Sequence, residues 1–222
     1  TNILSYAAKP IINMPIYGMD EKIDPVRFIG NYSSGKMGFA LAEACAERGA
    51  EVTLVAGPVS LKTHHPAIKR IDVESAGEMY QAAMTAFPSS DAAILCAAVA
   101  DYRLENASEQ KIKRETEREM TLHLVPNPDI AASLGAIKRE GQVMVGFALE
   151  TNDEATHAEG KLKRKNLDFI VLNSLRDQGA GFRCDTNKIT IIDNAGGVTS
   201  YPLKTKREVA CDIVNKLVTL LK

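Results

Sequence analysis

Residues 91–100 read DAAILCAAVA and run directly into Asp101. An almost continuous apolar run of this length is typical of a strand that is buried on both faces, as in the centre of a parallel sheet. Similar buried stretches occur at 50–57, 142–149 and 168–173. The run therefore predicts a central strand of a parallel sheet, with the Asp101 carboxylate at its carboxyl end.

Helical segments separate these strands. Residues 36–48 carry apolar side chains at helical spacing and stop at Gly49. Ser75 and Glu78 have the spacing of a capping box that opens a helix to about residue 86. The remaining helices are predicted after Asn127-Pro128-Asp129 (Asn as N-cap, Pro at the first helical position and Asp in the first turn), over 153–166, and after a second capping box at Thr205 and Glu208.

Strands that alternate with helices predict an α/β fold, namely a doubly wound, Rossmann-like and mostly parallel sheet. Residues 187–203 alternate around a turn at 194–197, which predicts a C-terminal antiparallel hairpin. Ligands of such sheets bind outside the carboxyl ends of the strands. This rule selects the loops 30–35, 97–103, 125–130, 147–152 and 173–183.

The composition is that of an ordinary globular chain. The 222 residues have 45% hydrophobic and 25% charged residues and a formal net charge of −1, which predicts one domain over 1–222 and no nucleic-acid partner. The sequence contains no run of about 18 apolar residues, so no membrane span is predicted. The order of a signal peptide is also absent, and the four cysteines form no C-x-x-C pair, so we expect a reduced, cytoplasmic protein.

Residues 103–125 fit the alternation poorly, because they are long, highly charged and without a clear helical face. The stretch is either a solvated excursion or a flap over a site, since long connections in compact domains are often lids.

The segment Gly30 to Gly38 precedes a helix and is rich in small residues, which favours an anion at the helix start. Two known motifs nearly match it. Gly30 to Lys36 has P-loop spacing but continues with Met37, where a Ser or Thr is needed. Tyr32 and Lys36 have the Y-x-x-x-K spacing of short-chain dehydrogenases, but no glycine-rich dinucleotide loop precedes them. A structural glycine turn is the remaining alternative.

Charged side chains near the predicted ligand edge have two interpretations each. Asp101 either points into the ligand crevice or caps a turn. The lysine-rich segments 111–114 and 161–165 are either solvated or converge on a polyphosphate, and Lys161 and Lys165 lie one helical turn apart. No metal-ligand spacing and no nucleophile elbow is present in the sequence, which favours chemistry by positioning and charge stabilisation.

Six segments in this order resemble a known family: DPVRFIGNYSSGKMG, CAAVADYR, KIKR, NPDI, GFALET and KLKRKNLDFIVLN. Together they are similar, over roughly residues 21–222, to the synthetase part of bacterial phosphopantothenoylcysteine synthetase. The resemblance implies a ligase of coenzyme A biosynthesis. CTP would activate the carboxylate of 4′-phosphopantothenate as an acyl cytidylate, and the amino group of L-cysteine would then displace CMP.

The resemblance also implies site residues and partners. Asn31 would stabilise the acyl cytidylate and its oxyanion, and Lys111 would be the essential lysine of the flap. Arg27 and Ala98 would lie near phosphopantothenate. The family is a homodimer, uses Mg²⁺ through ligands the sequence leaves unassigned, and is often fused to a flavin-dependent decarboxylase. The residues that match nucleotide contacts are Ala97, Asp101, Lys111, Pro128, Asp129, Ile130, Ala131, Phe147, Lys161 and Lys165.

The N-terminal segment 1–20 departs from the family pattern. A Gly-Pro-Thr turn is missing, and Pro10 and Pro15 are unfavourable in a central strand. Glu150 ends a predicted strand as Asp101 does, but no role follows for it. The alternative functions are an NAD(P)-dependent Rossmann oxidoreductase, a non-catalytic nucleotide-binding protein, and a ligase that uses ATP instead of CTP.

Overall fold

The structure is a computed structural model that describes residues 10–14, 21–31, 33–113, 119–150, 154–174 and 184–221. The helices of these residues are α1 Lys36–Ala46, α2 Ala76–Ala86, α3 Ile130–Ile137, α4 Glu154–Arg164 and α5 Lys206–Leu220, with a 3-10 turn at Phe87–Ser89. The strands are β1 Pro10–Met14, β2 Glu21–Lys22, β3 Phe28–Ile29, β4 Glu51–Ala56, β5 Ile68–Asp72, β6 Ala92–Leu95, β7 Tyr102–Leu104, β8 Leu124–Pro126, β9 Val143–Glu150, β10 Phe169–Ser174, β11 Thr186–Asn187, β12 Ile189–Asp193, β13 Val198–Ser200 and β14 Lys204–Thr205.

Eight strands of the described residues form one sheet in the order β13-β12-β10-β9-β6-β1-β4-β5. The neighbours from β5 to β10 pair in parallel, whereas β12 pairs antiparallel with both β10 and β13. Numbered along the chain, the six parallel strands run 3-2-1-4-5-6, the order of doubly wound Rossmann sheets. The predicted fold class and its C-terminal hairpin are confirmed.

The centre of the sheet is β1, which the sequence analysis had placed in doubt. Pro10 is the first residue of the strand, a position where the missing N–H is tolerated, and its carbonyl accepts from the Asp91 N–H at 2.7 Å. Ile11 and Ile12 are buried on opposite faces. The expectation that proline disfavours a central strand here is wrong for residues 10–14, while Pro15 lies outside the described residues.

Helices cover both faces of the sheet. Ile11 shares one apolar cluster with Leu41 of α1 and Ile213 of α5. Ile12 shares the other with residues of α2, α3 and α4, among them Leu134. Successive residues of a strand point to opposite faces of the sheet. The helices α1 and α5 therefore cover one face, and α2, α3 and α4 cover the other.

The helix starts agree with the sequence in part. At α5 the Thr205–Glu208 capping box is complete. At α2 the Ser75 Oγ accepts from the Glu78 N–H as predicted, but the Glu78 carboxylate accepts from the backbone of Glu74. The start of α3 was predicted wrongly. Asp129 is the N-cap and accepts from the Ala132 N–H at 3.0 Å, because Asn127 is engaged elsewhere.

The stretch predicted as one strand over 91–100 is shorter in the structure. Only Ala92–Leu95 form β6, and residues 96–100 continue as a loop along the ligand edge. The suspected flap at 103–125 begins and ends on the antiparallel pair β7–β8, with Tyr102 opposite Pro126 and Leu104 opposite Leu124. The pair β7–β8 follows directly on the loop 96–100, so the flap starts at the edge of the sheet where ligands are expected to bind. Residues 114–118 of the flap lie outside the described residues.

Candidate active site

A cleft of about 260 Å³ lies at the carboxyl ends of β6 and β9, next to the point where the strand order reverses between β1 and β6. We call it the main cleft. Ligands of doubly wound sheets bind at this position. Its wall includes ten of the residues singled out in the sequence analysis: Ala97, Ala98, Asp101, Pro128, Asp129, Ile130, Ala131, Phe147, Lys161 and Lys165.

The loop 96–100 lines the cleft with its small side chains and is fixed from below by Asn127. The Asn127 N–H donates to the Asp101 carbonyl at 2.8 Å, and its Nδ2 donates to the Ala100 carbonyl at 2.9 Å. The same Nδ2 donates to Oε1 of Glu21, which is 5% exposed and also accepts from the N–H of Ala76. Through these hydrogen bonds, Glu21 and Asn127 connect the loop 96–100 and the adjoining Asp101 (together, the Asp101 loop) to the starts of α2 and α3.

The first turn of α3 forms the opposite wall. Asp129 caps this helix and also pairs with Lys165, whose Nζ lies 3.0 Å from Oδ2. Burial acts to raise the pKa of Asp129, but the Ala132 N–H and the Lys165 ammonium outweigh it, so the pKa of Asp129 is lowered. The carboxylate is therefore charged at neutral pH and holds Lys165 at the rim of the cleft.

Lysines at the end of α4 supply positive charge. The Lys165 N–H donates to the Lys161 carbonyl at 3.0 Å, so both lysines lie on one side of the helix end, as their spacing predicts. The main chain at Lys165 closely approaches α3: a Cβ built on Gly135 would lie 2.2 Å from the Lys165 carbonyl oxygen. Only glycine permits this contact, which sets the distance between the cleft walls.

A second cavity of about 200 Å³ adjoins the main cleft and shares Ala97, Ala98, Phe147 and Lys161 with it. We call it the lysine pocket. Its other walls include the first turn of α1, the end of β10 and the first residue of α5, with the polar side chains Ser33, Ser34, Lys36, Asn173, Asn187 and Lys206.

Asn31 lines neither cavity, but it contacts the loop 96–100 that lines them. Its Nδ2 lies 3.3 Å from the carbonyl oxygens of both Ala98 and Val99. Asn31 therefore contacts the middle of the loop that Asp101 follows directly in the sequence. Of the glycine-rich segment that precedes α1, Gly35 has a left-handed φ of 72°, which turns the chain into the helix.

Arg27 and Lys111 do not line either cavity within the described residues, but Arg27 contacts Ile112, the residue that follows Lys111. Arg27 donates from its guanidinium to the Asp24 carboxylate and, at 2.8 Å, to the carbonyl of Ile112. The Asp24 carboxylate accepts from the Ile112 N–H at 3.1 Å. Hydrogen bonding from Arg27, opposed by burial, holds the pKa of Asp24 far below its usual range. Asp24 and Arg27 therefore hold the flap by hydrogen bonds to the main chain of Ile112, and the preceding Lys111 is exposed.

The described residues contain no cluster of three or more His, Cys, Asp and Glu side chains that could hold a metal ion. The carboxylates that line the main cleft in this part of the chain are Asp101 and Asp129. Two carboxylates are compatible with Mg²⁺, which binds few protein ligands when it travels with phosphates. Among the same residues, no helix is both long and apolar enough to cross a bilayer.

Sequence reasoning missed several polar residues of the site. Lys206, Asn173 and Asn187 line the lysine pocket, and Asn127 and Glu21 support the loop, but none of them was predicted as a site residue. A lysine directly after the N-cap of α5 was a usable signal, because cations are disfavoured at helix N-termini. The side chain of Glu150, to which no role was assigned, lies outside the described residues.

Residues 18–221 match the family described as DNA/pantothenate metabolism flavoprotein C-terminal domain. A cysteine/cysteine sulfinic acid decarboxylase of an unknown prokaryotic organism is 58% identical over 201 residues, which are 90% of this chain and 56% of that protein. The coenzyme A biosynthesis bifunctional protein CoaBC of Vibrio parahaemolyticus serotype O3:K6 is 48% identical over 202 residues, 90% of this chain and 50% of that protein. The chain thus spans about half the length of these curated relatives.

A solved structure agrees with the sequence matches. The crystal structure of the C-terminal domain of the coenzyme A biosynthesis bifunctional protein CoaBC superimposes with a TM-score of 0.83 at 37% identity. The superposition covers 100% of this chain and 98% of that one. These matches confirm the resemblance to the synthetase part that the six sequence segments indicate.

Proposed function

This chain belongs to the DNA/pantothenate metabolism flavoprotein C-terminal domain family, and we propose that it is the CTP-dependent ligase that joins 4′-phosphopantothenate to L-cysteine in coenzyme A biosynthesis. One observation carries the proposal. Nine of the ten residues that resemble the family's nucleotide contacts, all except Lys111, line a single cleft at the switch point of the sheet, although they are scattered from residue 97 to residue 165.

The reaction has two displacements. A carboxylate oxygen of phosphopantothenate attacks the α-phosphorus of CTP, the bond to the β-phosphate oxygen breaks, and pyrophosphate leaves. The amino nitrogen of cysteine then attacks the acyl carbon, the bond to the cytidylate oxygen breaks, and CMP leaves while the nitrogen loses a proton. Neither step requires a covalent enzyme intermediate, which agrees with a site built from amides, carbonyls and lysines.

Base recognition is assigned to Asp101. A carboxylate accepts from the exocyclic amino group of cytosine but faces an acceptor in uracil, so the wrong base leaves a hydrogen bond unmade. The Asp101 loop is held by Asn127 through hydrogen bonds of 2.8 and 2.9 Å. This support fixes the main chain that carries the carboxylate, which lowers the cost of ordering it on binding and favours the role.

Phosphate binding is assigned to Lys161 and Lys165 at the end of α4. The positive charge that they bring to the cleft would offset the charge that accumulates at the reacting phosphate. Phe147 and the residues Pro128 to Ala131 would shape the nucleotide site beside them. Mg²⁺ would arrive with the triphosphate and supply additional charge neutralisation there; no ligand for it is assigned.

Oxyanion stabilisation is assigned to Asn31. Its Nδ2 lies 3.3 Å from two carbonyl oxygens, a distance at which hydrogen bonds are weak. The amide can therefore turn toward an acyl oxygen at the border of the two cavities without losing strong bonds. As a neutral donor it needs no change of protonation between the two steps.

Closure is assigned to the flap and its Lys111. The Asp24–Arg27 pair anchors the neighbouring Ile112, so that Lys111 extends from a fixed point. Water exclusion by such a flap would protect an acyl phosphate from hydrolysis. Arg27 then contributes through the flap anchor, in addition to any contact with phosphopantothenate.

The two half-reactions separate these assignments. We expect the purified chain to release pyrophosphate from CTP and phosphopantothenate without cysteine, and to release CMP and form the amide once cysteine is added. Asn31→Asp should retain pyrophosphate release but form product slowly. Lys111→Gln should fold as the wild type does and turn over poorly. The wild-type chain is assayed as a homodimer and also together with a flavin-dependent decarboxylase partner. If neither preparation releases pyrophosphate, the proposed function is wrong.

A further inference from the structure

The carboxylate of Glu21 is buried where the hairpin β2–β3 meets the starts of α2 and α3. Glu21 is 5% exposed, and its Oε1 accepts from the Ala76 N–H at 2.9 Å and from the Asn127 Nδ2 at 3.1 Å. Burying a carboxylate is costly unless hydrogen bonds compensate for the lost water. These two donors offset that cost, and they belong to different helix starts.

Glu21 is itself held in place, as a residue that positions others must be. It pairs with Ile29 across the hairpin, and the Ile23 N–H donates to the Arg27 carbonyl at 2.8 Å, which closes the turn between the strands. The Ala76 N–H is one of the free donors at the start of α2, where the helix dipole also favours a carboxylate. The main chain and one partner of Glu21 are therefore fixed independently of Asn127.

The side chain of Asn127 depends on Glu21 for its orientation. Its Nδ2 donates to Glu21 and, at 2.9 Å, to the Ala100 carbonyl, whereas its buried Oδ1 has no hydrogen-bond partner in the described part of the chain. If the Glu21 carboxylate is removed, only the bond to Ala100 orients the amide. Rotation of the amide would then release the residue that directly precedes Asp101.

We propose that Glu21 is a positioning residue for nucleotide selection: it orients Asn127, and Asn127 holds the loop that carries Asp101 where the base is read. This inference rests on the proposed function, because it takes cytosine as the base that Asp101 recognises. Discrimination against uracil requires a fixed acceptor, since a carboxylate that can shift also avoids the uracil carbonyl. Glu21 does not line the main cleft, so it acts through Asn127.

The test compares Glu21→Met with Ser75→Ala. Methionine removes the acceptor of both donors, whereas Ser75→Ala removes only the Oγ that accepts from the Glu78 N–H at the same helix start. Both variants weaken the start of α2, but only Glu21→Met releases Asn127. In Glu21→Met the preference for CTP over UTP, measured as the ratio of the two kcat/KM values, should fall about 3- to 10-fold. Ser75→Ala should keep the wild-type preference although its Tm also falls.

Further variants show whether the effect passes through these hydrogen bonds. Glu21→Gln, whose amide oxygen can accept from the same two donors, should recover most of the preference. In an Asp101→Asn protein, Glu21→Met should lower the preference little further, because the acceptor that it positions is already gone. If Glu21→Met does not fold, Glu21→Asp replaces it, since a side chain shorter by about 1.5 Å withdraws the carboxylate from Asn127.

Nucleotide binding keeps this result separate from the proposed activity. Calorimetric titration with CTP and with UTP, without the acid substrate, should show the same loss of preference in Glu21→Met, whether or not the chain turns over. If the wild type prefers CTP and Glu21→Met retains the full preference, the inference is overturned and the proposed function stands. An equal loss in Ser75→Ala, or no recovery in Glu21→Gln, also overturns it. A wild type that binds both nucleotides equally overturns base recognition by Asp101 and this inference with it.

Discussion

Replacing Gly135 with alanine tests whether the close approach of α3 to the end of α4 shapes the main cleft. A Cβ at this position would lie 2.2 Å from the Lys165 carbonyl oxygen and 2.8 Å from its carbon, so α3 or the Lys165 backbone must move by about 1 Å to reach ordinary contact. The Asn166 Nδ2 also donates to the Gly135 carbonyl at 3.0 Å, and this bond would be strained.

The expected magnitude follows from opposing contributions. Overpacking costs about 1–3 kcal/mol and the weakened hydrogen bond about 1 kcal/mol. The better helix propensity of alanine returns about 1 kcal/mol. We therefore expect a net loss of about 1–3 kcal/mol in the free energy of unfolding, which lowers Tm by about 2–12 °C for a chain of this size. The KM for CTP should rise as well, because Lys165 and Asp129 are displaced relative to each other.

Gly160→Ala is the matched control for this substitution. Gly160 lies in α4, is exposed, and has nothing within 4 Å of a built Cβ. Alanine there should raise the stability by about 0.5–1 kcal/mol and leave the KM for CTP unchanged. Thermal unfolding followed by circular dichroism measures both variants. A Gly135→Ala protein that is as stable as Gly160→Ala would refute the reasoning about the close approach.

Three further predictions follow from the site and its supports. Asp101→Asn should reduce the preference for CTP over UTP, measured as the ratio of the two kcat/KM values, about 10- to 100-fold. Asp91→Asn, at the amino ends of the parallel strands, is the control and should leave the preference unchanged. An unchanged preference in Asp101→Asn would remove Asp101 from base recognition. Asp24→Asn should lower kcat by releasing the flap, and adding it to Lys111→Gln should cause little further loss; full additivity in these kinetics would contradict a shared role. The Lys216 ammonium, with the Gly197 N–H, lowers the pKa of Asp193 below its unfolded value of about 3.9. The stability that this pair contributes is therefore present above that value and is lost as the pH falls through the folded pKa. Measured by urea unfolding, the free energy of unfolding should fall less between pH 6 and 2.5 in Asp193→Asn than in the wild type. An equal fall in both proteins would contradict the assignment.

The sequence was sufficient to predict most of the sheet and much of the main cleft. Buried strands are recognisable as apolar runs, and the carboxyl ends of parallel strands meet at one edge, so Asp101 and Phe147 could be placed there before the structure. The prediction was less exact where several residues compete for one role. Asn127 and Asp129 are both good N-caps, and only the contact of Asn127 with Glu21 and Ala100 decides that Asp129 caps α3.

Tertiary contacts explain the remaining differences. The strand β1 is central because β4 and β6 pair with it on both sides, and no local propensity of Pro10 shows this. The burial of Lys206 depends on the approach of α5 to α1, which lies far from it in the sequence. Arg27 is similar to a substrate-binding residue of the family, but its guanidinium contacts the carbonyl of Ile112, which lies 85 residues further along the chain, and the sequence does not show this contact.

The direct test is to supply CTP, ATP, GTP and UTP in turn at equal concentration, with phosphopantothenate and Mg²⁺ present, and to measure pyrophosphate with cysteine and without it. The chain should use CTP far better than the other three, release pyrophosphate before cysteine is added, and convert phosphopantothenate to the cysteine amide in equal amounts with CMP. Faster turnover with ATP, or amide formation without release of a nucleoside monophosphate, would contradict a cleft that reads cytosine and activates the acid through its cytidylate.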